Sequence, residues 1–440
     1  MTSRLVRLFL YKMILVYSHT TTSRLIYICE FIFKEQLGVE FTICNDFEIC
    51  KTHTGPIINY SENSSNTNHF HIPPHSLLFE NDIKEQSITC FETNEFKAFF
   101  KIDEADFSFD ILAASFYLLS RYEEYLPHHK DQYGRYSHEN AVAFKNNFLD
   151  TPLVNIWIEA FAASLQLKFP QIVYSKKKFQ FQPTYDIDIA WSFQSKGIIR
   201  NLGGFLSSPS MTRLKVLIGW EKDPFDCYDY LDSIHKEKNY QPIYFFLVAN
   251  IISKYDKNIA PYKKSMKKLI QRHKEKYILG IHPSWKSNKR FFILQKEKKR
   301  LERIAQQPIL CSRQHYIKMS FPETYENLIA IGIEKEYSMG YGGINGFRAS
   351  VASSFYWYHL LNEEKTNLRV YPFCYMDATS FYQDRKSAAA SYIELMNYYQ
   401  TCKKANGLFI TIFHNNFFGT DKQHAGWKEM YNRFISQVQQ

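Results

Sequence analysis

Four apolar stretches of this 440-residue chain end in side chains that could do chemistry together. Phe179–Tyr185 runs into Asp186-Ile187-Asp188, and Tyr277–Ile281 into His282. Pro308–Ser312 runs into Arg313-Gln314-His315-Tyr316, and Gly407–Phe413 into His414. In extended backbone Asp186 and Asp188 point to the same side. Two carboxylates side by side away from water need a cation or a proton between them. One could therefore ligate a metal while the other acts as a base; a solvated turn with two aspartates is the plainer alternative. Imidazole is the commonest metal-binding side chain, which makes His282 a candidate ligand, against the alternative of a structural histidine. A guanidinium forks onto a carboxylate and keeps it ionised, which Arg313 could do if it is more than an ordinary ion pair. His414 could protonate a leaving group. Each signal is weak alone; the succession Asp-x-Asp, His, Arg, His at four strand tips is much harder to obtain by chance.

These residues need elements to hold them. From position 179 onward, short apolar runs near 179–185, 243–248, 277–281, 308–311, 336–340, 370–375 and 408–413 alternate with helical stretches. That alternation predicts a parallel sheet or barrel, with the site at the C-terminal ends of its strands. Earlier, Met13–Tyr17 reads as a strand, Arg24–Gln36 as an amphipathic helix closed by Leu37-Gly38, and Val39–Ile43 as a second strand. This β-α-β opening predicts a smaller α/β domain. Within it, Phe107–Tyr125 reads as a helix with a polar end at Ser120–Tyr125, and Pro152–Leu167 as another. The expected division is a non-structural extension over 1–12, with Met13 as the natural start, an N-terminal domain over 13–175, and a barrel domain over 176–440.

Composition narrows the class. The aromatic load is high, with 37 Phe and 31 Tyr; most fill cores, while some could line a carbohydrate site. The net charge of +10 sits largely in lysine runs at helical spacing, such as Lys263–Lys268 and Lys296–Arg300, which read as solvated helix faces. Without a nucleic-acid-binding motif, charge alone gives no nucleic-acid partner. Eight scattered cysteines form no CxxC pair, which fits a reducing compartment. No stretch has the length of a membrane span. Lys12 interrupts the N-terminal apolar run, and no small-x-small cleavage site follows; the expected location is cytoplasmic.

With these motifs in order, the chain resembles the polysaccharide deacetylase family (NodB homology, carbohydrate esterase 4) over about residues 179–435. Thr184-Tyr185-Asp186-Ile187-Asp188 looks like its Thr-Phe-Asp-Asp motif, and Gly280-Ile281-His282-Pro283-Ser284 like the motif that opens on a metal histidine. Arg313-Gln314-His315-Tyr316 looks like its Arg-x-Pro-Tyr, and Ile410–His414 like the apolar run ending in an acid histidine. Phe116–Tyr125 resembles part of an accessory N-terminal module in a bacterial branch of these proteins.

The resemblance implies a distorted (β/α) barrel and removal of N-acetyl groups from a carbohydrate with a divalent metal, zinc foremost, cobalt or nickel otherwise. It implies Asp186 as general base, Asp188 and His282 as metal ligands, and Arg313 as the group that orients Asp186. It implies the Tyr316 amide as a donor to the oxyanion and His414 as the proton donor to the departing amine.

Two departures stand out. The family's second metal histidine falls four residues after the first, where this chain has Lys286. His315 is the candidate replacement, with Ser284 and Asn288 behind it. Ile187 also separates the paired aspartates. The alternative is therefore a deacetylase-fold protein that has lost its metal and only binds a glycan.

Three softer features complete the reading. Asp377 stands at another strand tip, where it could support the site. Arg348, after the glycine-rich stretch Gly340–Gly343, could face a substrate or lie on the surface. Trp191, Trp285 and Trp427 could stack on sugar rings or fill the core.

Overall fold

The computed structural model describes residues 13–63, 68–93, 95–207 and 209–438. The extension expected over 1–12 lies outside them.

The first part of the chain builds a parallel sheet of β1 (Ile14–Tyr17), β2 (Phe41–Cys44), β3 (Ile57–Asn59) and β4 (Phe70–His71), in the order β2-β1-β3-β4. The connection from β1 to β2 is the helix Ser23–Cys29, continued by a π-helical stretch over Glu30–Gln36. The hydroxyl of Thr22 caps it by accepting the Leu25 amide at 3.1 Å. A short hairpin, β5 (Phe91–Glu92) with β6 (Lys97–Ala98), follows.

The helix expected over 107–125 is shorter, Ile111–Leu119, and buried on every face. Asp110 caps its start through the Ala113 amide, and Arg121, in the left-handed region at φ 54°, ends the helical path. The segment expected to be its polar, solvated end is interior. Arg121 donates to Glu124 at 2.8 Å, and Glu124 takes a fork from Arg348 at 2.8 and 2.5 Å. Arg348 is therefore neither surface nor substrate-facing; it is 1% exposed and joins the two parts of the chain. A charge is tolerated at such depth only when fully paired, and removing one partner of a buried pair costs about 3–5 kcal/mol. Arg348→Ala should lower the unfolding free energy by about that amount in urea titrations. A change within about 0.5 kcal/mol, the usual range for surface substitutions, would remove this role.

The second part carries a nine-strand sheet of β7 (Gln180–Ile187), β8 (Ile243–Phe246), β9 (Ile278–Ile281), β10 (Cys311–Ser312), β11 (Lys335–Glu336), β12 (Phe355–His359), β13 (Glu364–Val370), β14 (Tyr375–Met376) and β15 (Leu408–His414). The order is β12-β13-β11-β10-β9-β8-β7-β15-β14, and every pair is parallel except the hairpin β12–β13. β13 and β14 follow one another along the chain over Glu364–Met376. That stretch pairs with β11 through Arg369 and Val370 and with β15 through Tyr375 and Met376. Between the two, the Tyr371 amide donates to Glu336 O and the Phe373 amide to Met339 O.

The two parts share one apolar core. Tyr27 donates to the Tyr356 carbonyl at 2.7 Å, and the rings of Phe116 and Tyr358 meet edge to face. Asn155 bonds to the Ala352 amide and to the Ser353 hydroxyl.

Candidate metal centre

Parallel register brings the strand ends together. His414, last residue of β15, is the register partner of Asp186 near the end of β7. On the other side of β7, Asp186 pairs with Phe245 of β8, and Phe245 with Gly280 of β9. The ladder runs one step past the strands: the His282 amide donates to Phe246 O and the Arg313 amide to Ile281 O, both at 3.0 Å. Four of the residues singled out from the sequence, Asp186, His282, Arg313 and His414, thus stand side by side at one end of the sheet.

Arg313 is fully buried and reaches back across the strand ends. Its Nη1 donates to Asp186 Oδ1 at 2.8 Å and to the Thr184 hydroxyl at 2.7 Å, while Nε donates to Tyr337 O at 3.0 Å. The guanidinium lies over the Phe245 ring, 4.3 Å from its centre. Phe245 occupies that place because its register partner is a glycine; a Cβ at Gly280 would collide with the ring.

Asp188, a quarter exposed, is the meeting point. His282 Nε2 is 3.0 Å from its Oδ1; His315 Nε2 is 3.3 Å and His414 Nε2 3.6 Å from its Oδ2. Asp186 Oδ2 is 3.8 Å from His282 Nε2. His282 Nδ1 faces the Arg313 carbonyl at 2.6 Å, and a carbonyl only accepts, so the ring proton belongs on Nδ1. Its Nε2 is then the nitrogen turned toward Asp188 Oδ1. His315 repeats the pattern, with Nδ1 held 3.1 Å from Asp256 Oδ1 and Nε2 toward Asp188. Each inner nitrogen faces the carboxylate across a gap that either a proton or a metal cation can fill.

Asp188, His282 and His315 offer ligand atoms all within 4.8 Å of one another. Ligands bound about 2.0–2.2 Å from a single zinc stand roughly 3.3 Å apart in a tetrahedron, close to the separations found. The donor set, one carboxylate and two imidazoles with their outer nitrogens held, is that of a divalent transition-metal site. Ser284 and Asn288 are engaged elsewhere: the Ser284 amide bonds Glu297, its hydroxyl accepts from the Ser287 amide, and Asn288 donates to Lys318 O. Lys286 is exposed.

From the side chains alone, protons take those places. Burial acts to raise Asp188, but His315 and His282 hold it well below the usual carboxylate range. Burial acts to lower His315, yet Asp188 and Asp256 carry it up to about 9. His414 behaves alike: burial opposes its charge, and Asp377 with the two strand-tip aspartates raises it to about 10. Asp377, directly after β14, takes the His414 amide on Oδ2 at 2.7 Å and faces Nδ1 with Oδ1 at 2.6 Å.

Tyr316 and Ile317 both sit in the left-handed region, at φ 61° and 52°, a strained conformation for two successive non-glycine residues. The turn is held from the other part of the chain. Arg135, braced on Asp131 at 2.6 Å, donates to Tyr316 O at 2.6 Å, and Lys318 returns a bond to Tyr133 O. The glycine-rich stretch serves this contact: a Cβ at Gly342 would collide with the Arg135 guanidinium.

The three tryptophans do not offer open faces. Trp191 and Trp427 are buried. Trp285 is stacked on Tyr255 at 3.9 Å and has the Lys318 ammonium 3.9 Å from its ring centre.

Sequence reasoning missed Asp256 and Arg135. Both lie in loops, where no apolar run ends and no periodicity marks a position.

A family model described as a family of unknown function (DUF7033) matches residues 14–170. No curated protein matches the chain. Solved structures with some likeness include two proteins assigned as polysaccharide deacetylases. One, from Mycobacterium smegmatis, has 12% identity and a TM-score of 0.39, covering 59% of this chain and 85% of that one. The other, from Pseudomonas aeruginosa PAO1, has 9% identity and a TM-score of 0.39, covering 59% and 84%. The polysaccharide deacetylase Bc1974 from Bacillus cereus has 9% identity and a TM-score of 0.30, covering 60% and 88%.

Proposed function

We propose that this chain is a divalent-metal-dependent hydrolase that removes N-acetyl groups from a carbohydrate, on a distorted (β/α) barrel closed through Glu364–Met376. The observation that carries the reading is the pair of imidazoles, His282 and His315, whose outer nitrogens are tied to acceptors while their inner nitrogens converge on Asp188. Zinc fits this donor set, with cobalt or nickel as substitutes. When bound, such an ion polarises an acyl oxygen and lowers the pKa of a water it holds to about 7.

The chain's own groups supply the remaining chemistry. Asp186, fixed by Arg313, takes a proton from the water that attacks the amide carbon. The Tyr316 amide donates to the oxyanion that forms. His414, kept protonated beside Asp377, gives its Nε2 proton to the departing amine, so that acetate and a free amino sugar leave. The alternative of a glycan-binding module without metal arose from Lys286; the presence of His315 beside Asp188 favours the enzyme.

Arg135 bears on the same chemistry by positioning the Tyr316 turn. Arg135→Ala should lower kcat about tenfold to a hundredfold with little change in KM, since misplacement by about 1 Å costs on that order. Gly342→Ala should do the same with Arg135 still present. A kcat unchanged in both variants would show that the turn holds itself.

The reading as a whole is tested with N-acetylated oligosaccharides. Acetate should be released, the release should stop on chelation, and zinc or cobalt should restore it. Release that survives thorough chelation would rule out the metal-dependent route.

A further inference from the structure

The connection from β7 to β8 carries a surface that the proposed chemistry does not use. Two short helices, Ile198–Ser207 and Met211–Leu217, follow the metal-site end of β7. They turn large apolar side chains outward. Ile198, Leu202 and Leu206 recur at four-residue spacing and are 86%, 58% and 75% exposed. On the second helix, which meets the first through Arg213 Nη1 and Asn201 O at 2.9 Å, Leu214 and Leu217 are 40% and 46% exposed, and Trp220, just beyond it, 78%. Six exposed side chains of this size within 23 residues exceed the scattered exposure that a water-facing surface tolerates.

Charge says what covers the face. Of the five basic side chains in residues 195–222, Lys215 pairs with Glu221 at 2.6 Å and Lys222 with Asp229 at 2.9 Å, while Lys196, Arg200 and Arg213 face no carboxylate within salt-bridge distance among the described residues. Apolar stripes bordered by Lys and Arg, with Trp at the margin, suit the boundary between lipid head groups and acyl chains, and the cations favour anionic lipids. A second copy of the same face would oppose like charges. Among the described residues no helix is long and apolar enough to cross a membrane, so the contact lies along a bilayer and does not span it.

The patch adjoins the loop after β8. Arg200 donates to Lys257 O at 3.1 Å, and this loop carries exposed Ile251 and Tyr262 together with Asp256, which faces His315.

We propose that the helices Ile198–Ser207 and Met211–Leu217 dock the protein on an anionic lipid bilayer, at the same end of the sheet as the candidate metal centre. The contact is independent of the deacetylase reading and is measured without substrate. The full chain is sedimented with vesicles of phosphatidylcholine alone and of phosphatidylcholine mixed with phosphatidylglycerol. Binding is expected to the mixed vesicles and at least about tenfold weaker to the neutral ones. Raised salt should weaken it. The double variant Leu206→Glu with Leu217→Glu should lose about tenfold or more of the partition coefficient, at unchanged circular dichroism and unchanged zinc binding. Lys196→Gln with Arg200→Gln should reduce the preference for anionic vesicles alone. The proposal is overturned by absence of binding to either vesicle, by binding that the double Glu variant leaves intact, or by a concentration-dependent dimer that the same variant dissolves.

Discussion

His315→Ala is expected to remove tight zinc binding and acetate release together. Asp188 and His282 alone would leave two protein ligands where a catalytic zinc takes about three, and no other described His, Cys, Asp or Glu joins the cluster. The loss in affinity should exceed the roughly 10–100-fold that follows removal of an outer partner of a ligand. That smaller loss is expected for Asp256→Ala, because Asp256 only holds the His315 ring and its proton in place. Competition with a chromophoric chelator measures both. If His315→Ala binds zinc as tightly as the parent chain, the third ligand is elsewhere. The ordering of the two variants is as informative as either value, since a purely structural role for His315 would not place Asp256→Ala between it and the parent.

Asp186→Asn is expected to lower the rate of acetate release by about 10²–10⁴-fold while zinc stays bound. The asparagine oxygen still accepts from Arg313 Nη1, so the fold around the site is kept, but an amide takes no proton from water. Asp186 lies 3.8 Å from His282 Nε2 where Asp188 lies at 3.0 Å, the difference on which the proposed division into base and ligand rests. Should Asp186→Asn lose its zinc, or Asp188→Asn keep it, the two roles are exchanged. Steady-state kinetics together with metal content on the same preparations decide the matter.

Much of this arrangement is legible in the sequence because parallel strands advertise themselves twice, as an apolar run and as the polar residue that ends it. Asp186, Asp188, His282, Arg313 and His414 were accessible by that rule, and the register of β7 with β15 places His414 beside Asp186. His315 was reachable only through the deficit left by Lys286. Other features follow from packing that no local pattern encodes. Asp256 serves His315 from a loop. Arg135 meets Tyr316 across 181 positions of chain. The segment Ser120–Tyr125 looks like the solvated end of a helix, yet Arg121 and Glu124 are inside because Arg348 arrives from the other part of the chain to pair with them. The hairpin β12–β13 escaped notice since Glu364–Val370 is polar along its outer face and carries no continuous apolar run.

The central claim is that Asp188, His282 and His315 form one divalent-metal site. Calorimetric titration of the chelator-treated chain with zinc tests it most directly. One site per chain is predicted, micromolar or tighter, and absent in Asp188→Ala and His315→Ala. A chain that takes up no zinc, or whose uptake is the same in both variants, would contradict it.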